Sequence, residues 1–147
     1  MDRDLEDADY RRLLQFRTRL RRFLRWSEEQ AEKAGLTAAQ HQLMLAIRGH
    51  EGEQGPTIGD VASYLLLRHH SAVGLVDRAE RSGMVERHED SRDRRVVRLR
   101  LTAQGSRTLQ KLSELHLEEI QRLAPRIQEI SHGLENTREG ETGRTRP

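Results

Sequence analysis

The order of elements across residues 57–101 constrains this chain more than any other feature. "TIGDVASYLLL" reads as a short helix capped by Thr57, with Asp60 three residues on. A few residues later "RHHSAVGLVDRAERSG" starts another helix, with Ala72, Val76 and Ala79 on one stripe and Gly83 at its close. Two short helices joined by a tight turn make a helix-turn-helix, a pairing common among helical proteins. The next segment is more specific. "MVERHE" and "VVRLRL" have strand character, and "DSRDRR" between them is a polar tip. Val97, Leu99 and Leu101 alternate with Arg98 and Arg100, a period of two that gives the hairpin an apolar and a cationic face. A helix-turn-helix running directly into a two-stranded hairpin predicts a winged helix, mainly α with a small β-hairpin wing.

The flanking segments are helical. Over residues 10–34, Leu13, Phe16, Leu20, Phe23 and Leu24 recur at helical spacing among arginines, and Gly35 suits the end. "LTAAQHQLMLAIRG" opens with Thr37 and Gln40 at capping-box positions, and Leu43, Met44, Leu45 and Ile47 form its expected buried side. Thr102 caps a helix carrying Leu109, Leu112, Ile120 and Leu123. Pro125 is expected to break it and to open a sixth helix with Ile127, Ile130 and Leu134 inward. The last residues lack apolar side chains, so 136–147 read as a disordered tail.

A chain of 147 residues is most simply one domain. Its apolar fraction of 34% and aromatic fraction of 3% make a thin core for a lone globule, which points to completion by a second copy. Net charge is only +2, but the bases are almost all Arg, Lys33 and Lys111 excepted, and they gather in residues 10–33 and 68–100. Arginine's planar fork suits phosphates and base edges, although Arg-rich codon usage would produce the same bias. No cysteine is present, which excludes disulfides, thiolate nucleophiles and thiol redox sensing. No apolar run reaches the ~18 residues of a membrane span, and the acidic start is unlike a signal peptide, so a cytoplasmic location is expected. No nucleophile elbow, phosphate loop or dinucleotide fingerprint appears, so the chain is not expected to be an enzyme. Its histidines lack metal-ligand spacing, and neither metal nor cofactor is expected.

In "LTAAQHQLMLAI", "VDRAERSGMVERHEDSRDRR" and "LRLTAQG" the chain resembles the MarR family of bacterial winged helix-turn-helix transcriptional regulators, over about residues 10–135. The D-x-R-D-x-R wing followed by L-T-x-x-G is the most specific part. The resemblance implies dimerisation helices over about 10–34 and 103–135 and a DNA-binding lobe over about 36–101. It implies a homodimer that binds a pseudo-palindromic operator on double-stranded DNA, represses transcription and is released by a small aromatic or anionic effector. By the same analogy, Trp26 and His41 would line the effector pocket. Two departures stand out: Ala79 replaces a usual Leu, and "YLLLRHH" lacks the usual Gly in the turn before the recognition helix.

A winged-helix dimer presents the N-terminal residues of each recognition helix to a major groove, here Arg68, His69, His70 and Ser71. Arg68 could read guanine bidentately, and Ser71 suits a phosphate. Adjacent histidines point about 100° apart on a helix and cannot chelate one metal together. On the wing, Arg92, Arg94, Arg95 and Arg98 are the DNA-contacting candidates. By the family motif Arg95 pairs with Asp93 and enters the minor groove, while Arg98 contacts a phosphate. Two other classes fit the pattern: a winged-helix protein-binding module, and a membrane-surface protein using residues 10–33.

Overall fold

The computed structural model describes residues 4–139, with side chains through residue 133. The described residues form five helices and a hairpin: α1 (Asp7–Lys33), α2 (Ala38–Gly49), α3 (Ile58–Leu65), α4 (His69–Arg81), β1 (Val85–Glu89), β2 (Val97–Leu101) and α5 (Ala103–Glu139). It divides into two compact units, one of residues 28–114 and one made of the segments up to Ser27 and from Leu115 onward.

Local chemistry accounts for most boundaries in the 28–114 unit. Thr37 accepts from the Gln40 backbone N–H while the Gln40 side chain accepts from the Thr37 N–H, a reciprocal cap on α2. Thr57 and Asp60 repeat the device on α3, and the Thr57 backbone N–H donated to the Asp60 carboxylate lowers its pKa. Thr102 Oγ1 accepts from Gly105 N at 3.0 Å and donates to Gly83 O at 2.6 Å, joining the start of α5 to the end of α4. The core gathers Leu43, Met44, Val61, Val76, Val85 and Leu99, all under 2% exposed, with Leu75, Ala79, Leu109 and Leu112 around them. Leu45, expected inside, is 53% exposed. It neighbours the buried stripe of α2 in sequence, but the helix turns it out.

β1 and β2 pair antiparallel, from Val85 opposite Leu101 to Glu89 opposite Val97. A further edge was not legible in the sequence: Thr57 bridges Arg98, and Leu99 N donates to Pro56 O at 2.9 Å. The segment before α3 therefore lies along the outer side of β2. This close approach requires Gly55. Its φ is +86°, and a Cβ there would stand 2.2 Å from the Leu99 carbonyl oxygen.

In the other unit, the α1 and α5 segments face each other. Phe16, Leu20 and Phe23 line a groove of about 390 Å³ with Ile120, Leu123 and Ile127. Large apolar side chains remain open to solvent on both helices, among them Leu13, Leu24, Leu115 and Ile120. Trp26 lies 4.9 Å from the His116 ring and stacks on Phe23. The expected break at Pro125 does not occur, and α5 runs through it to Glu139. Proline inside a helix forfeits one hydrogen bond and clashes with the preceding turn, at a cost of about 3 kcal/mol. Strong helix formers on both sides, "QRLA" and "RIQEI", keep the chain helical. The expected tail begins within this helix, and residues 140–147 lie outside the described residues. Among the described residues no helix is long and apolar enough to cross a membrane.

Candidate nucleic-acid interface

The four sequence-predicted residues of the recognition helix stand together at the start of α4. Arg68 is its N-cap residue, with extended backbone and no side-chain capping bond. His69, His70 and Ser71 form the first turn, and all four are exposed. Their side chains make no hydrogen bond or ion pair with any of the described residues. Ala72, Leu75, Val76 and Ala79 anchor the opposite face in the core. Ala79, in place of the bulkier family residue, is fully buried, and its carbonyl accepts from Met84 N and Ser82 Oγ as the helix ends.

The far half of α4 is braced from the hairpin. Arg87 on β1 donates to Asp77 at 2.6 Å and to Glu80 at 2.7 Å. The Asp77 carboxylate, with Glu80 behind it, raises the guanidinium pKa. Sequence reading missed this brace, because charges far apart in the chain show no spacing signature.

The α3–α4 turn ends on a left-handed residue that is not glycine. Leu66 has φ 53° and ψ 42°, the only non-glycine with positive φ among the described residues. Leu67 N donates to Ala62 O at 2.9 Å, closing the end of α3 in the usual left-handed manner. A Cβ in this conformation costs roughly 1–2 kcal/mol. The side chain is 92% exposed, so no burial offsets that cost.

The wing tip is built on Asp90, which is only 7% exposed. Its Oδ1 accepts from the backbone N–H groups of Arg92 (2.7 Å) and Asp93 (3.0 Å), which folds the tip. Its Oδ2 accepts from Arg98 Nε at 2.8 Å and Gln54 Nε2 at 3.2 Å. The Arg92 N–H, then the Arg98 guanidinium and the Asp93 N–H, hold the Asp90 pKa down at about 2. Gln54 also accepts from Ser91 N at 2.7 Å, and Arg98 donates to Gly55 O at 3.2 Å. The loop between α2 and α3 is thereby latched to the wing. Sequence reading missed Gln54, which sits in a polar loop without a pattern to mark it.

Asp93 holds Arg95. Its Oδ1 accepts from Arg95 N and Nε, and its Oδ2 from Nη2, all at 3.0–3.1 Å. The Arg95 side chain, followed by its backbone N–H, lowers the Asp93 pKa. The Arg95 side chain is still 91% exposed. Arg92 and Arg94 are exposed and have no side-chain partner among the described residues. Arg98 differs from the other three: its side chain is 26% exposed and committed to Asp90 and Gly55. It acts inside the wing as a tie. Arg100, beside it, pairs with Glu86 across the hairpin.

Trp26 and His41, the expected effector contacts, fall in different units. Trp26 belongs to the cluster with Phe23 and His116, whose Nε2 lies 2.7 Å from Ser27 Oγ. His41 is buried in α2, at 6% exposure. Among the described residues no three His, Asp or Glu side chains are grouped to hold a metal ion.

Known proteins share this fold. Residues 34–96, which span the α2–α4 segment and the wing tip, match the family model described as MarR family. The chain is 32% identical over 83 residues to the transcriptional activatory protein BadR of Rhodopseudomonas palustris, covering 56% of this chain and 47% of that one. It thus spans about half the length of this curated relative. The structure of Staphylococcus aureus MepR bound to DNA superposes with a TM-score of 0.67 at 18% identity, covering 95% of this chain and 97% of that one. AbsC, a MarR family transcriptional regulator from Streptomyces coelicolor, gives 0.66 at 22% identity, covering 97% and 100%. The fold of such regulators runs through nearly the whole chain, and residues 34–96 are similar to the MarR family.

Proposed function

We propose that this protein is a sequence-specific DNA-binding transcriptional regulator, not an enzyme, that works in the cytoplasm as a homodimer on a pseudo-palindromic operator. The observation that carries this reading is the pairing of a polar helix end without internal partners and an arginine-bearing wing whose shape is fixed from within. Arg68, His69, His70 and Ser71 face the major groove. Arg95 enters the minor groove, with Arg92 and Arg94 on adjacent phosphates. MepR, of similar fold, has been solved with DNA, and BadR is named a transcriptional activatory protein.

The dimer forms through residues 10–34 and 103–135, where Leu13, Phe16, Leu20, Leu24, Ile120 and Ile127 are uncovered in one chain. The two recognition helices then address half-sites one helical turn apart, ~34–36 Å. Bound across a promoter, such a dimer represses by occlusion, and a small aromatic or anionic effector releases it. Selection of bound duplexes from a random library tests the whole reading, because it returns site, symmetry and spacing together. A palindromic consensus with half-sites about one turn apart is expected, and an enriched pool without consensus would overturn the proposal. Sedimentation at micromolar concentration should give about twice the 17.1 kDa chain mass. A promoter fusion carrying the selected site should be silenced by the protein, and aromatic acids that restore it should change Trp26 fluorescence.

A further inference from the structure

Leu66 carries a conformational strain that its own fold does not require. Its backbone N–H closes α3 by donating to Ala62 and Ser63 carbonyls, a role glycine fills without a Cβ in the way. Its side chain is 92% exposed and so contributes almost nothing to the core. It stands two residues before Arg68, the N-cap of α4, directly continuous with the exposed, unpartnered first turn. The neighbouring Leu67 is also partly exposed, at 37%. A strained residue with an aliphatic side chain held in solvent has its use outside the molecule.

We infer that Leu66 is a specificity residue that recognises a thymine 5-methyl group at the edge of the major groove. This rests on the proposed DNA-binding function and adds a base preference that the polar residues of α4 do not supply. The choice of ligand follows from chemistry. A leucine side chain neither donates nor accepts a hydrogen bond, and the one apolar feature that base edges present in the major groove is the thymine methyl. Arg68, His69, His70 and Ser71 read donors and acceptors, and Leu66 beside them reads the methyl.

The test uses the full chain and its selected operator, with thymines replaced one at a time by deoxyuridine, which removes only the methyl group. The wild type should bind about fourfold more weakly when one particular thymine of a half-site is replaced, the worth of a single buried methyl. Leu66→Gly should bind thymine and uracil duplexes equally and, free of DNA, should melt about 3–6 °C higher, because the left-handed strain is gone. Leu66→Ala should also lose the distinction but melt near the wild type, since its Cβ keeps the strain. Equal wild-type affinity for every thymine and uracil duplex would overturn the inference, as would a Leu66→Gly variant that retains the thymine preference. A wild type that binds no duplex at all would instead fail at the first step and overturn the function with it.

Discussion

The first turn of α4 and the tip of the wing are both polar and exposed, yet they are organised in opposite ways. At the wing tip, one nearly buried carboxylate accepts four hydrogen bonds, and a second clamps Arg95 through backbone and side chain. At the start of α4, four polar side chains in a row have no partner among the described residues. The difference suits what each would meet in the proposed complex with DNA. A minor groove is read by width and potential, so the inserted group benefits from being held rigidly beforehand. Major-groove edges are read by donors and acceptors, and groups already satisfied internally would have to break those bonds first. The backbone of α4 is rigid instead, braced by Arg87 and by four core residues.

Removing Asp90 should break this contrast most severely. Asp90→Ala leaves the Arg92 and Asp93 N–H groups, Arg98 and Gln54 without their acceptor, so the tip loses its shape. We expect operator affinity to fall on the order of a hundredfold, with the preference for A·T flanks abolished, while helix content by circular dichroism stays intact. Gln54→Ala, which unlatches only the loop, should show the same pattern at a smaller size.

Next in size is Arg95→Ala. It removes one inserted side chain from a wing that is still folded, and should cost roughly tenfold in affinity while flattening discrimination between A·T and G·C flanks. Full affinity with unchanged flank preference would show that the wing does not read the minor groove. Arg68→Ala sharpens the comparison from the other side. It should lose roughly five- to tenfold and relax selectivity at a single guanine in each half-site, leaving the flanks untouched. Competition against single-base operator variants separates the two.

A smaller effect distinguishes partnered from free arginines on the wing itself. Arg94→Ala should lower the slope of log affinity against log salt by about one, with no change in sequence preference. Arg98→Ala should behave as a milder Asp90→Ala, losing flank preference, because its guanidinium is committed to Asp90 and Gly55.

Much of this arrangement was legible in the sequence. The capping residues Thr37, Thr57 and Thr102 marked three helix starts, because a hydroxyl at that position has one dominant use. The alternation of Val97 to Leu101 marked β2 and the apolar stripe before it marked α4, since both depend on local periodicity. What escaped notice is non-local or energetic. Gln54 reaches the wing across more than thirty-five residues, and Pro56 meets Leu99 along a strand edge only one bridge long. Arg98 alternates with Leu99 as a solvent-facing residue should, and only its distance to Asp90 identifies it as a tie. Leu66 was visible as a missing glycine, but its left-handed backbone and exposure were not. Pro125 misled because its local rule yields to the helix formers around it.

The wing should respond to acid before it responds to anything near neutrality. The folded pKa of Asp90 lies at about 2, below its ordinary value of 3.8, so its contribution to stability is complete above about 4. It is lost as pH falls through the folded value, and Asp60 and Asp93, also lowered, act in the same direction. Melting temperature should therefore gain nothing from these groups between pH 5 and 8 and decline below about 4, less steeply in Asp90→Asn.

The most direct test of the central claim is equilibrium binding of the full chain to its selected operator and to a scrambled duplex over a salt series from 50 to 200 mM. A protein that meets DNA with a free helix end and a preformed arginine wing should lose affinity linearly in log salt on both duplexes. It should hold the operator about a thousandfold or more tighter than the scrambled duplex at physiological salt. Equal affinity for the two duplexes across the series, or no salt-dependent binding to either, would contradict the account.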